Sequence, residues 1–304
     1  MQANFTGIMS AITTKMTDDQ EVDLAAVKAD VRFQIEGGVD KIIVCGSLGE
    51  ASTLVADEKL AILESALEAA GSDARIILTI AEDSTRAGCA VAKRAEAAGA
   101  YGLMVLPAMR YIADRRETLT HFRAVADASA LPLIVYNNPV AYTVDVTPEM
   151  FAELADEPKF VGIKESSADL RRITDIINLT GDRYQISTGV DDLALESLTL
   201  GCVGWIAGLV VAFPRETVAI YELAKAGRMA EALELYRWFF PLLHLDVSVR
   251  FVQNIKLVEH MTRGTSLAVR APRLPLVGAA EAEVRRVVEQ ALAARPDLGR
   301  YGFR

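Results

Sequence analysis

At 304 residues, 51% hydrophobic and 24% charged, the chain has the balance of a globular protein with a sizeable core, which excludes intrinsic disorder as its main state. A formal net charge of −9, with no Lys/Arg run or basic stripe, excludes a general binder of phosphate backbones and so nucleic acid as a partner. The N-terminal stretch MQANFTGIMSAITTKMTDDQ lacks a basic segment followed by an apolar one, and no apolar run approaches the roughly 20 residues that cross a bilayer, so a soluble, cytoplasmic protein with no membrane partner is expected.

Short β-branched apolar runs alternate with longer amphipathic segments along the chain, the pattern of strand-helix units around a parallel sheet. Strands are predicted at Phe5 to Ile12, Lys41 to Cys45, Arg75 to Ala81, Gly102 to Leu106, Leu131 to Tyr136, Phe160 to Lys164, Tyr184 to Thr188 and Cys202 to Ile206. Between them, ADEKLAILESALEAAG and DSTRAGCAVAKRAEAAGA carry apolar residues at helical spacing and end near glycines that read as helix stops. Thr147 before Pro148 offers an N-cap with proline at the first helical position.

Eight such units favour a closed barrel over an open doubly wound sheet, which normally has fewer strands and keeps a switch point for a nucleotide. No glycine-rich nucleotide fingerprint follows the first strand. The expected class is α/β: a (β/α)8 TIM barrel over residues 1–226, with a C-terminal helical extension over 227–304 packed on it. That extension includes GRMAEALELYRWFFPLLHL and EAEVRRVVEQALAA, and its Trp238, Phe239 and Phe240 fit either a subunit contact or, more commonly, an internal helix seam.

In such a barrel the reacting groups come from the carboxyl ends of the strands and the loops beyond them. Strand two runs into GSLGE, where Gly46 and Gly49 permit a tight loop whose backbone N–H groups and Ser47 hydroxyl could hold a carboxylate. Strand five ends in VYNNP, so Tyr136 sits at the rim, either as a proton-moving phenol or as a core residue with a satisfied hydroxyl. Strand six, FVGIKESS, ends on Lys164, a costly place for a buried ammonium. Desolvation there would expose a nucleophilic amine, against the equally weighted reading of an ion pair with Glu165 or another carboxylate.

Cys45, Cys89 and Cys202 read as free thiols in a reducing compartment, and His121, His244 and His260 lack metal-ligand spacing. No metal or bound cofactor is expected.

Taken in order, GSLGEASTLVADE, YNNP and GIKES resemble the dihydrodipicolinate synthase and N-acetylneuraminate lyase superfamily over nearly the whole chain, with Tyr136 and Lys164 28 residues apart as in that pattern. The resemblance implies that Lys164 forms a Schiff base with a small 2-oxo acid or cyclic imine and that Tyr136 relays protons. It makes Ser47 the hydroxyl linking Tyr136 to the substrate carboxylate, and gives Gly46, Leu48, Gly189 and Ile206 places around the substrate. It further implies a homotetramer, a dimer of dimers in which paired barrels lend each other a second aromatic.

The chain also departs from the synthase pattern. Leu48 stands where a second threonine belongs, and Val140, Ala141 and Tyr142 follow the tyrosine motif where an arginine would meet a distal carboxylate. After strand four, Ala108, Met109, Arg110, Tyr111 replaces a pair of tyrosines, with Tyr111 the candidate second phenol. These changes, with DVTPE, GVDDLALES and LYRWFFPLLHLD, are similar to the 1-pyrroline-4-hydroxy-2-carboxylate deaminase branch, which implies dehydrating deamination to 2-oxoglutarate semialdehyde. Alternatives are a 2-keto-3-deoxy sugar acid aldolase or dehydratase, dihydrodipicolinate synthase itself, and a catalytically silent oxo-acid-binding barrel. Asp191 is expected to hold a substrate hydroxyl or cap the next helix, Asp192 more readily the latter, and Thr143 to touch the distal end of a substrate or turn the loop.

Overall fold

A computed structural model of the chain describes residues 3–108 and 111–303. The apolar runs form β1 Gly7–Ala11, β2 Lys41–Val44, β3 Arg75–Ile80, β4 Gly102–Val105, β5 Leu133–Asn137, β6 Phe160–Glu165, β7 Gln185–Thr188 and β8 Gly204–Ala207. Each strand pairs in parallel with the next, and β8 returns to β1 with Ile8 opposite Trp205, so the sheet closes without an edge. The architecture is the expected (β/α)8 barrel.

Strands β1, β5, β7 and β8 start later than the apolar runs suggest. Pro132 has no N–H to give the ladder, so β5 opens at Leu133. The Cys202 N–H turns back to the Ser197 carbonyl at 3.1 Å, so β8 opens at Gly204.

The two-residue side-chain period of the strands divides the interior. Met9, Ile43, Ile77, Met104, Ile134 and Ile206 fill the lumen. Ile42, Val44, Leu78, Val105, Val135 and Ile163 face the helices, where most of the core lies. The helices Ala56–Ala70 and Thr85–Ala98 stop at Gly71 and Gly99, and Pro148 opens the helix Pro148–Leu154. Among the described residues no helix is long and apolar enough to cross a membrane.

Beyond the turn at Ala226 and Gly227 the chain forms the helices Met229–Leu243, Phe251–Arg263 and Gly278–Ala293. The middle one hides buried Asn254, Lys256 and Glu259 among its apolar residues, which blurs its helical period in the sequence. Those polar groups anchor it. Lys256 Nζ meets Glu50 at 2.6 Å beyond β2, and Glu259 meets Lys15 Nζ at 2.5 Å beyond β1. Trp238 and Phe239 pack edge-on to Phe213, and Trp238 Nε1 donates to the Ala291 carbonyl at 2.9 Å. That aromatic run is therefore an internal helix seam.

Candidate active site

Lys164 stands near the carboxyl end of β6, 7% exposed, with Tyr136 of β5 directly opposite in register and Ser187 of β7 on its other side. Its amine lies 4.2 Å above the Tyr136 ring and makes no hydrogen bond or ion pair among the described residues. Glu165 points the other way, accepting from Asn137 Nδ2 at 3.1 Å and from the Ser167 N–H at 2.6 Å, so it does not pair with the lysine. Burial holds the Lys164 amine below the ordinary lysine range, against the opposing charges of Asp246, Tyr142 and Asp191. An unpaired, desolvated amine of this kind is a nucleophile.

The path of that side chain depends on Gly189. A Cβ there would overlap Lys164 Cε and Ser166 Oγ, so only glycine leaves the lysine room to extend over the end of β7. The Gly189 N–H is already given to the Glu165 carbonyl at 2.9 Å, which leaves only its own carbonyl for a ligand. Ser166 Oγ is buried without a hydrogen-bond partner, the kind of unmet polar group that a bound substrate satisfies. Ile206 lines the lumen beneath.

The YNNP motif builds the opposite wall. Asn137 is fully buried and its Oδ1 accepts from the Val146 N–H at 2.9 Å, tying the strand to the returning loop. Asn138 Oδ1 accepts from the Ala141 N–H at 3.0 Å, capping the short turn Pro139–Tyr142, while its Nδ2 donates to the Tyr136 hydroxyl at 3.1 Å. That turn swings Tyr142 inward. Its ring meets Tyr136 edge-on at 6.0 Å, and its hydroxyl shares a hydrogen bond with Ser47 Oγ. Burial pushes the Tyr136 phenol up, while the hydrogen bond from Asn138 partly offsets this by favouring its ionised form.

In the GSLGE loop the N–H groups of Ser47 and Leu48 donate to nothing among the described residues, so they remain open to an anion. Gly49 is packed against backbone, where a Cβ would come 3.1 Å from the Ile12 carbonyl oxygen. The loop thus brings two free donors and a hydroxyl to the rim beside Tyr136.

The expectations for Leu48 and Asp191 need correction, and Thr143 takes the second of its two readings. The Leu48 side chain is 5% exposed in the apolar core facing the helices, so only its N–H points to the site. Tyr111 is 56% exposed on the single chain, and within that chain Tyr142 is the ring that reaches Ser47; Met109 and Arg110 lie outside the described residues. Asp191 is fully buried, and its carboxylate is committed to Trp205 Nε1 at 2.9 Å, the Gly208 N–H at 3.1 Å and the Leu209 N–H at 2.9 Å, so it fixes the β8 loop rather than offering itself to a substrate hydroxyl. Thr143 is exposed, has a φ of 64° and donates to the Tyr142 carbonyl at 2.6 Å, so it turns the loop. Asp192 is held by His244 Nδ1 at 2.8 Å.

Sequence reasoning missed Asn138, Ser166 and Asp246. An asparagine before proline signalled the first as a cap, and Ser166 lies two positions past the lysine. Asp246 sits far downstream in the helical extension, with no local signal that it faces Lys164.

The sequence pattern of the Dihydrodipicolinate synthetase family matches residues 4–294. The 4-hydroxy-tetrahydrodipicolinate synthase of Methanospirillum hungatei is 30% identical over 288 residues, covering 94% of this chain and 98% of that protein. The chain is likewise similar to the solved dihydrodipicolinate synthase of Aquifex aeolicus, at 26% identity and a TM-score of 0.90, with 94% and 98% of the two chains covered. At the same identity and TM-score it is similar to YagE, an E. coli prophage protein of the dihydrodipicolinic acid synthase family solved with pyruvate, covering 95% and 99%.

Proposed function

This chain belongs to the dihydrodipicolinate synthetase family and is a Schiff-base-forming lyase, and from that premise we propose that it is a deaminase acting on a small cyclic imine acid, 1-pyrroline-4-hydroxy-2-carboxylate, through Lys164. One observation carries the choice: Tyr142, in place of the arginine of the synthase pattern, closes onto Ser47 and puts a phenol where a distal carboxylate would need a guanidinium.

In this reading the substrate carboxylate rests on the Ser47 and Leu48 N–H groups, and the Lys164 amine attacks the C=N carbon. Ring opening transfers the imine to the lysine and frees the substrate nitrogen as a primary amine. Tyr136 takes the C3 proton, giving an enamine that expels the 4-hydroxyl as water. A proton then leaves C5 and one is taken up at C4, leaving an imine at that end, and Tyr136 returns its proton to C3. Two hydrolyses release ammonia and 2-oxoglutarate semialdehyde, so the whole reaction consumes one water. The lysine imine is the electron sink, and no metal or bound cofactor enters the scheme. The working unit is a homotetramer, a dimer of dimers.

A synthase reading has one observation in its favour. Arg273, held 3.8 Å from Glu50, brings its positive charge close enough to bear on the Tyr142 phenol. Intact mass after borohydride reduction, with 1-pyrroline-4-hydroxy-2-carboxylate and with pyruvate in parallel, separates the readings. An adduct on Lys164 with ammonia release from the pyrroline is expected, and Lys164→Ala is expected to lose both. A pyruvate adduct that condenses with aspartate semialdehyde, without ammonia release from the pyrroline, would replace the deaminase with the synthase. Release of pyruvate from a longer sugar acid would indicate an aldolase, and no adduct at all a silent barrel.

A further inference from the structure

Asp246 enters the site from outside the barrel, three residues past the helix Met229–Leu243, at the end of LYRWFFPLLHLD. Its carboxyl lies over Gly208, just beyond β8, where a Cβ would come 2.5 Å from Oδ1 and 3.0 Å from Cγ. Lys164 lies over Gly189, just beyond β7, in the same way. β7 and β8 are neighbours, with Thr188 opposite Trp205, so Gly208 stands two residues beyond the level of Gly189, and the two bare backbone positions clear space for an amine and a carboxyl on one rim.

Unlike Asp191, whose oxygens hold the β8 loop, Asp246 makes no side-chain hydrogen bond or salt bridge among the described residues. The titratable groups that face it are Lys164, Asp191, Tyr136 and Asp192, the last already paired with His244. Burial first, then the Asp191 charge, raises the Asp246 carboxyl well above the usual carboxylate range, against the pull of Lys164. Burial therefore drives both members of the facing pair toward their uncharged forms, a free amine and a proton-bearing acid.

We propose that Asp246 is the acid that protonates the leaving 4-hydroxyl, a role that rests on the deaminase reading. As the Lys164 nitrogen pair moves into the enamine, the C4–O bond breaks and the oxygen takes the Asp246 proton, leaving as water. An iminium conjugated to a C3=C4 double bond remains. The Asp246 carboxylate then takes the C5 proton as the double bonds shift toward the substrate amine, which restores the acid without an outside reagent.

Asp246→Asn keeps the shape and removes the proton. With 1-pyrroline-4-hydroxy-2-carboxylate, borohydride should trap on Lys164 an adduct one water heavier than the dehydrated species, and ammonia release should fall by about 100-fold or more. Pyruvate, which has no hydroxyl to lose, should still be trapped on Lys164. Ammonia release near the wild-type rate in the variant would overturn the role and hand the proton to Tyr136. Loss of pyruvate trapping as well would overturn it in favour of a part in positioning Lys164. Wild-type protein that releases no ammonia would sink the deaminase reading, and this role with it.

Discussion

Gly189 and Lys164 form a matched pair: the lysine stem occupies the volume that any other residue at 189 would fill with its Cβ. Gly189→Ala should therefore slow pyruvate imine formation by about 100-fold, the scale of loss from a displacement of roughly 1 Å at a reacting group, while leaving the fold intact. Single-turnover borohydride trapping measures it, and an unchanged rate would mean the lysine has a second path. Acid reveals the same amine. Because burial holds the Lys164 amine below the ordinary lysine range, the rate should persist to lower pH than an exposed lysine allows, then fall as pH drops through that depressed value and the amine gains its proton. A rate that rises only near the pKa of a free lysine would contradict the buried geometry. Lys164, Tyr136 and Ser47 were legible in the sequence because each ends a strand or opens the loop after it. Tyr142 was visible only as a missing arginine, since its inward turn depends on Asn138 capping a four-residue helix.

At the level of elements, the helical extension is bolted to the barrel by buried charge as well as by apolar packing. Glu50 closes the GSLGE loop at a φ of 59°, fully buried, with Lys256 Nζ at 2.6 Å and the Arg270 N–H at 3.0 Å. Lys256→Met would leave that carboxylate without its closest cation, and about 3–5 kcal/mol of stability should go with it. The double change with Glu50→Gln should recover much of the loss, because no unpaired charge then stays buried. Urea midpoints of the wild type and the two variants decide this, and a single change no worse than the double would show that Arg273 takes over the pairing. The eight strands were legible because their apolar runs and helix stops repeat. The helix Phe251–Arg263 was not, because the residues that bind it to the barrel are the polar ones that interrupt its apolar face.

The whole molecule bears on a question that no single element answers, whether the site is complete within one chain. Tyr111, Ile112 and Val140 are 56%, 74% and 76% exposed on the loops after the neighbouring strands β4 and β5. Scattered exposed apolar residues are ordinary, but three on one rim suit a contact with a second copy of the chain. Sedimentation velocity should find the wild type as a tetramer, and Ile112→Asp should move it to smaller species; a wild-type monomer would end that proposal. Here the Ser47 hydroxyl already has the phenol of Tyr142 from its own chain. Dissociated Ile112→Asp protein should accordingly still form the Lys164 imine with pyruvate at close to the wild-type rate. A loss of trapping in step with dissociation would show instead that the neighbour's aromatic, and not Tyr142, completes the proton path.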